Sequence, residues 1–547
     1  MNESLATTNH KRLKRVLALC LVLVAAFSSV SCTKTEQPQE TPIVLPTPTP
    51  APVPAQGGEI TLPMPANADL LDPLLVNTEE MLNVFSLIFE GLLSVDQTSA
   101  LTAGLAETWS VDETGRVWTV KLRNSARWHD NNEKVTAADV KYTYDRVKSM
   151  ASSYYAYHAA KIESVDVLDD YTVRFTMKKA GLSSLYALTV PVMRADSASA
   201  TMPVGTGPFR VTSMTGERIE LSANETWWKQ RPYLDKITFL ARDNNETALA
   251  SYAAGQLDMV PTSAVTAGKY REEGITTVYD ILTQNAEILV FNSANAALQD
   301  INVRKALACG IDRGTIITNI YMNRAQACDV PFAPDSWLYD SSSKVYDYDP
   351  DRALSLLLES GYKDADGDGY LEESGMRYEE LKFTLLVTDT ADNLREGAAN
   401  EIAAQLGKLG IQIEVVAAPY SLTEADNEFL KKLSSGEFDL ALCGFNLARD
   451  GIVSQFVDAN GSQNYGGFSS DKLTTLAEAL VTAADETAYR SAASAMQQQF
   501  VQELPFLTLY FRLNSIVYDS AIQGVSGMRE PDTLRTADKW YLYTQSN

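Results

Sequence analysis

Histidine is nearly absent from this chain, with 3 in 547 residues, and cysteine is scarce, with 5. Catalysis on an imidazole base, or a Cys/His metal cluster, therefore has almost no raw material. Positive charge is also short: Lys and Arg total 46 against 70 Asp and Glu, a formal charge of −24. Most of such a surface repels a polyanion, so DNA or RNA binding is excluded as a leading function. Neither a Gly-x-Ser-x-Gly elbow nor a His-Glu-x-x-His helix occurs. The run Val16 to Phe27 holds 12 uninterrupted apolar residues, too few to span a bilayer comfortably. What is present is an ordinary globular balance, 45% hydrophobic, 9% aromatic and 21% charged, which excludes a wholly disordered or collagenous chain. A chain of this length exceeds one hydrophobic core, and two or three domains are expected.

Lys11, Arg12, Lys14 and Arg15 stand before the apolar run, and small residues follow it. That order is a secretory signal, read here as residues 1–31. Its end, Ser29-Val30-Ser31-Cys32, resembles a bacterial lipobox, which makes Cys32 the lipidation site and the mature N-terminus. The segment Thr33 to Gln56 carries seven prolines among Thr, Ala and Gln. It cannot build a core and reads as an extended spacer, residues 32–57 forming lipidated Cys plus tether. At about 3.1 Å per residue the spacer lifts a folded body up to roughly 70 Å from a membrane. Loss of the signal removes four basic residues and one acid, so the exported part carries −27. Besides Cys32, three cysteines then remain, Cys309, Cys328 and Cys443. They read as buried apolar residues, with a Cys309–Cys328 bridge as the alternative.

No linker interrupts residues 58–547, so the domains must be joined closely or interleaved. Alternation predicts strands at Val117–Leu122, Val165–Val167 and Tyr171–Thr176, with a helix at Thr136–Lys148. Farther on, helices are expected at Asn302–Cys309, Asp349–Ser360, Arg395–Leu409, Leu473–Ala484 and Glu486–Glu503. Gly361 and Gly410 stand as C-terminal stops of two of them. Strands are expected at Ile411–Val416, Asp439–Cys443 and Phe506–Phe511. The pattern is mixed α/β with more than one lobe.

Several segments together resemble the extracellular solute-binding lipoproteins of bacterial ABC peptide importers, the oligopeptide- and dipeptide-binding family 5. They include Ile88-Phe89-Glu90-Gly91-Leu92, Gly104 to Trp109, Val117 to Arg123, Trp128-His129-Asp130 and Val135 to Val140. The turn Gly205-Thr206-Gly207-Pro208-Phe209 comes next, then Asn224 to Trp228 and Gly255 to Asp258. Phe291-Asn292, Val303 to Ala306, Ile311 to Arg313 and Asn464 to Phe468 complete the series. Order and spacing cover nearly all of residues 58–530. The resemblance implies an α/β fold of the type II periplasmic-binding-protein kind, two lobes with a hinge and an extra domain inserted in the first lobe. It implies lobe I at 58–90, 191–283 and 510–547, the inserted domain at 91–190, and lobe II at 284–509. It further implies a monomer on the outer face of the cytoplasmic membrane, or in the periplasm if there is an outer membrane. Such a protein captures a short peptide or other small solute and hands it to ABC permease subunits. No bond is made or broken, so no catalytic residue and no cofactor is expected.

The same resemblance nominates site residues. Gly444, Phe445 and Asn446 match the lobe II strand that pairs with a peptide backbone, and Gly444 would permit close approach. The family's carboxylate for a peptide α-amine falls on Ala448, and the nearest acid is Asp450, read as an amine anchor or a solvated loop carboxylate. Asn464 and Tyr465 match cleft-lining positions, as do Asn77 and Glu79 in lobe I. Arg512 could meet a ligand carboxylate or form an interlobe ion pair. Asp364, Asp366 and Asp368 copy half an EF-hand loop, but its twelfth position is Gly375, so a plain acidic turn is read and no metal site is expected. His129 and His158 read as surface or cleft-rim residues. The competing functions are the same fold holding a metal chelate, opine or oligosaccharide, a secreted glycosidase built on the many carboxylates, and a sensory lipoprotein.

Overall fold

The computed structural model of the chain describes residues 53–66, 72–76, 78–197, 202–272, 274–373, 379–390 and 394–543. Of Glu79, Glu272 and Glu424 only the backbone belongs to this set. The export signal, Cys32, the tether up to residue 52, Asn77 and Gly375 lie outside the described residues.

In lobe I the strand Glu59–Pro65 alternates inward Ile60, Leu62 and Met64 with outward residues, as a sheet with one wet face requires. It pairs in parallel with Lys236–Arg242, and Arg218–Ala223 and Phe209–Met214 complete a four-stranded sheet. The helix Glu79–Ile88, capped by Thr78, packs Leu82, Phe85 and Ile88 into the same core, beside Phe209 and Trp540. Its end abuts the Gly-Thr-Gly turn: a Cβ on Gly205 would lie 1.9 Å from the Ile88 carbonyl oxygen, so only glycine allows this approach. Asn83 on that helix accepts hydrogen bonds from Thr533 N at 2.6 Å and Thr533 Oγ1 at 2.8 Å. The C-terminal segment around residues 529–535 is thereby pinned to lobe I.

The inserted domain is an antiparallel sheet in the order Ala106–Val111, Val117–Leu122, Thr172–Met177, Ile162–Asp169. The helix Ala137–Lys148 covers it, with Tyr144 edge-on to Phe175 at 5.0 Å. Thr136 and Asp139 form a capping box at its start.

Lobe II and the hinge share one curled sheet. Its order is Met259–Thr262, Phe506–Asp519, Thr276–Phe291, Leu440–Asn446, Lys382–Asp389, Gln412–Pro419, with Ala325–Ala327 beside the second strand. Two long strands, Thr276–Phe291 and Phe506–Asp519, pair with each other; Met259–Thr262 joins them at one end, and Leu440–Asn446 and Ala325–Ala327 toward the other. Their antiparallel register holds from Thr276↔Asp519 to Leu282↔Leu513, breaks, and resumes at Ala286↔Phe511. At the break Thr283 Oγ1 donates to the Arg512 carbonyl (2.9 Å) and accepts from Asn285 N (3.0 Å), replacing lost ladder bonds. An irregularity of this kind in a long strand pair is a place where bending is cheap. Sequence alternation ends the last strand at Phe511; it continues to Asp519 because Arg512, Leu513 and Asn514 are the half-exposed residues at this crossing.

The other expected elements form within a few residues of their expected bounds, including Pro350–Glu359, Leu394–Gly407 and Glu486–Glu503. Cys309, Cys328 and Cys443 are buried free thiols with no bridge between them. His129 is half-buried and does not line the cleft. Its Nε2 donates to the Gly207 carbonyl (3.0 Å) and its Nδ1 accepts from Gly205 N (3.3 Å). Burial holds its pKa near about 4, so it stays a neutral brace of the glycine turn.

Candidate functional site

A cavity of about 580 Å³ opens between the lobes. Lobe I supplies Phe85, Phe89, Glu90, Trp227 and Lys229, and its C-terminal segment adds Glu530, Asp532 and Arg535. The inserted domain adds Tyr154, Tyr155, Tyr157, His158 and Tyr186. The crossing strand adds Thr283 and Gln284, and lobe II adds Asn446 to Arg449 with Gln455 and Gln463. The size suits a small ligand, and the lining combines apolar rings with a few charged groups.

The charged groups are held by neighbours. Glu90 accepts from Trp228 Nε1 (3.0 Å) and Thr206 Oγ1 (3.1 Å). Burial raises its pKa against the pull of Lys229 and these bonds. Arg449 donates to Asp532 Oδ2 at 3.1 Å and to the Glu530 carbonyl at 3.0 Å, joining lobe II to lobe I. His158 is driven to a pKa of about 3 by burial and then by the Lys161 ammonium.

Asp450 does not face this cavity as an open carboxylate. Its side chain is 1% exposed and ion-paired with Lys161 of the inserted domain, with Tyr157 OH at 3.3 Å and Ile452 N donating at 3.1 Å. Burial alone would raise its pKa, but the Lys161 charge and hydrogen bond hold it below the ordinary carboxylate value. Neither reading taken from the sequence, amine anchor or solvated carboxylate, describes this arrangement.

Of the other nominated residues, Asn446 lines the cavity. Gly444 does not: the space where its Cβ would stand holds Arg395, whose guanidinium pairs with the fully buried Glu287 (Nε to Oε2, 2.8 Å). Phe445, Asn464 and Tyr465 instead line a void of about 10 Å³, room for about one water. Phe445 stacks on Tyr465 at 6.0 Å, and Asn464 ties its own loop through Asp458 and Phe468. Arg512 is placed 5.7 Å over the Tyr321 ring and makes no ion pair among the described residues. The Glu79 side chain and Asn77 are not described.

Sequence reasoning missed Lys161, Arg449, Asp532 and Arg535, whose partners are far away in the chain. It also passed over Tyr154-Tyr155-Ala156-Tyr157-His158, an aromatic run visible in the sequence. In the acidic loop it missed Glu372. The carboxylates of Asp364, Asp366, Asp368 and Glu372 converge within 4.8 Å. Turn amides take up part of their acceptor capacity, as at Gly367 N to Asp364 and Ala365 N to Glu372.

Two α/β lobes, joined by crossing strands and enclosing a cavity, define a solute-binding protein of the hinged kind. A profile of the bacterial extracellular solute-binding proteins, family 5 (middle region), matches residues 100–467. The oligopeptide-binding protein AppA of Bacillus subtilis is 26% identical over 520 residues, covering 89% of this chain and 92% of that protein. The heme-binding protein A of Haemophilus influenzae is 25% identical over 412 residues, covering 68% and 72%. The crystal structure of NikZ from Campylobacter jejuni with Ni(L-His) superposes with a TM-score of 0.66 at 21% identity, over 88% of this chain and 99% of that one. This chain belongs to family 5 of the bacterial extracellular solute-binding proteins, the substrate-binding proteins of ABC importers. Such relatives bind solutes for transport and are not enzymes. Among the described residues no helix is long and apolar enough to cross a membrane.

Proposed function

We propose that the protein is a lipid-anchored, monomeric receptor that captures a short peptide between its lobes and delivers it to an ABC permease. The observation that carries the peptide reading is an open strand edge beside the cavity. Leu440–Asn446 pairs along one side with Asn285–Phe291, but on the other side its pairing to Lys382–Asp389 stops at Leu442↔Val387. The far edge of Cys443–Asn446 has no strand partner among the described residues, and Asn446 reaches the cavity. A peptide backbone can add there as a further strand, while the roomy aromatic lining takes side chains without strict selection. Relatives named for oligopeptides support this choice; relatives named for heme and nickel supply the competing ligand classes.

Anchoring rests on the signal and lipobox ending at Cys32, with the proline-rich tether carrying the body outward. The lobe boundaries proposed are 58–90, 191–283 and 510–547 for lobe I, 91–190 for the inserted domain and 284–509 for lobe II. The bulge at residues 283–285 supports the hinge position in that division. Mass spectrometry of ligand released on denaturing the purified protein tests the function. Recovered di- to hexapeptides are expected. Recovery of a metal chelate or sugar alone, with thermal stabilisation by that class and none by peptides, overturns the peptide assignment.

A further inference from the structure

The acidic loop that begins at Asp364 ends on a buried residue. It joins two short strands, Tyr362–Lys363 and Glu372–Glu373, which pair antiparallel with Lys363 opposite Glu372. Gly367 and Gly369 take φ of 86° and 97°, where a side chain would be strained, so the loop can coil tightly. One carboxylate oxygen from each of Asp364, Asp366, Asp368 and Glu372 then falls within 4.8 Å of the other three. The three aspartates are exposed, and water and turn amides can carry their charge, as at Asp368 N to Asp366 and Tyr370 N to Asp368. On their own they are an ordinary acidic turn.

Glu372 is different. At 2% exposure it is one of the four most deeply buried carboxylates among the described residues, with Glu287, Asp329 and Asp450. Each of those three has its cation: Arg395, Arg313 and Lys161. Glu372 has no lysine, arginine or histidine partner among the described residues. Its Oε2 accepts from Ala365 N of the loop itself at 2.7 Å, and its Oε1 has no hydrogen bond among the described residues. The side chain turns away from solvent and toward the aspartates. A buried carboxylate is paired or it coordinates a metal, and here the protein supplies no pair. The surrounding ligands are all carboxylate oxygens. Such a set suits Ca²⁺, which takes about six to eight oxygens in a flexible cage, better than Mg²⁺ with its octahedron or Zn²⁺ with its preference for nitrogen and sulfur.

We propose that this loop is a calcium site, with Asp364, Asp366, Asp368 and Glu372 as ligands. An EF-hand loop keeps its bidentate glutamate for the twelfth position, which is Gly375 here. Glu372 stands at the ninth, and the strand pairing that follows brings its carboxylate to the other three. None of the four lines the cavity between the lobes, so the ion is structural rather than cargo. The inference goes beyond the receptor reading and does not depend on it. What the ion would hold is visible next to Glu372. Leu371 is buried in the lobe II core, its N donates to the Gly410 carbonyl at 2.9 Å, and its carbonyl accepts from Leu381 N at 2.6 Å. Calcium thus fastens the loop to the start of two lobe II strands, Lys382–Asp389 and Gln412–Pro419.

The test is calorimetry and thermal shift on the exported chain after EGTA treatment, titrated with calcium chloride and, separately, magnesium chloride. One equivalent of calcium should bind with a Kd of about 1 mM or tighter, the range of extracellular calcium modules. At roughly 100-fold excess over that Kd it should raise the melting temperature by a few degrees. Magnesium at the same concentration should do much less. Glu372→Gln keeps an acceptor for Ala365 N but loses the charge. It should weaken calcium by roughly 10-fold or more without lowering the metal-free melting temperature, a result that loss of a merely structural side chain would not give. Asp366 is exposed, so Asp366→Asn, with the same expected loss of affinity, keeps the test decisive if Glu372→Gln fails to fold. No calcium heat at 10-fold above that limit, about 10 mM, overturns the inference. Equal calcium affinity in wild type and both variants overturns it too, since the ion is then held elsewhere on an acidic surface. An equal response to magnesium does the same, as general screening of charge. Released-ligand mass spectrometry, which calcium does not enter, judges the receptor reading separately.

Discussion

Replacing Gly444 with alanine puts a methyl carbon 1.9 Å from Arg395 Nη2, 2.9 Å from its Cζ and 3.3 Å from Glu287 Oε1. No rotation of a methyl relieves those contacts, so the guanidinium has to leave. Arg395 keeps 25% of its side-chain exposure and can reach water; Glu287, at 0%, cannot follow it. The variant thus strands a carboxylate in the lobe II core, on one of the two strands that cross the hinge. Breaking a buried pair by removing one partner costs about 3–5 kcal/mol. Urea unfolding should show a loss of that size, with far-UV signal unchanged in the absence of denaturant. Adding Glu287→Gln in the same background replaces the stranded charge by an amide, whose unsatisfied burial costs about 1–3 kcal/mol, so part of the loss should return. A loss below about 0.5 kcal/mol, the range of an ordinary surface substitution, refutes the reasoning. So does unchanged stability with weakened ligand affinity, which would return Gly444 to the ligand.

Cys32→Ala should release the protein from the membrane fraction with ligand affinity unchanged, as read by fractionation and thermal shift. Lys161→Met leaves Asp450 buried without its cation and should open the cleft, seen as a larger radius of gyration by small-angle scattering. The native pKa of Asp450 is depressed, so its stabilisation is complete above the unfolded value near 3.8 and is lost as pH falls through the lower folded value. Acid titration of the wild type should therefore show a loss of stability below about pH 4 that is smaller in Lys161→Met, followed by urea midpoints. Phe445→Ala should cost about 3–5 kcal/mol of stability by opening the contacts with Phe456 and Tyr465, while peptide affinity measured by calorimetry stays within twofold of wild type.

Elements with a strong period were legible in the sequence. Glu486–Glu503 follows from Asp485 as cap and inward Tyr489, Ala493, Met496 and Phe500. The alternation in Val117–Leu122 likewise predicts Trp118, Val120 and Leu122 inside. The hinge was not legible, because Arg512, Leu513 and Asn514 break the apolar run where the strand passes between lobes rather than where it ends. The nominated site was partly readable. Side chains alternate along a strand, so Phe445 cannot share a face with Gly444 and Asn446, and it is indeed turned into the core with Cys443. Gly444 and Asn446 do share a face. What separates them is Arg395, delivered by a helix that begins some fifty residues upstream, and no local pattern announces such a cover.

Charge pairing is the part that sequence reading handles least well. With 70 acids and 46 basic residues, composition says that many carboxylates lack a partner and nothing about which ones have found theirs. Arg449 and Asp450 show why. Neighbours in sequence and opposite in charge, they look like a self-compensating pair in a solvated loop. A peptide unit sends consecutive side chains apart, and here each meets a different body: Arg449 reaches Asp532 of lobe I, Asp450 reaches Lys161 of the inserted domain. Two ion pairs of opposite polarity, one residue apart, fix how this loop is turned as well as where it sits. Exchanging the two residues would bring arginine against Lys161 and aspartate against Asp532, so the order of these charges in the chain is itself a condition for the lobes to meet. Of the two pairs, the Lys161–Asp450 contact lies off the cavity lining, whereas Arg449 and Asp532 both belong to it. The loop thus holds two interdomain contacts at once, and only the Arg449 one borders the cavity.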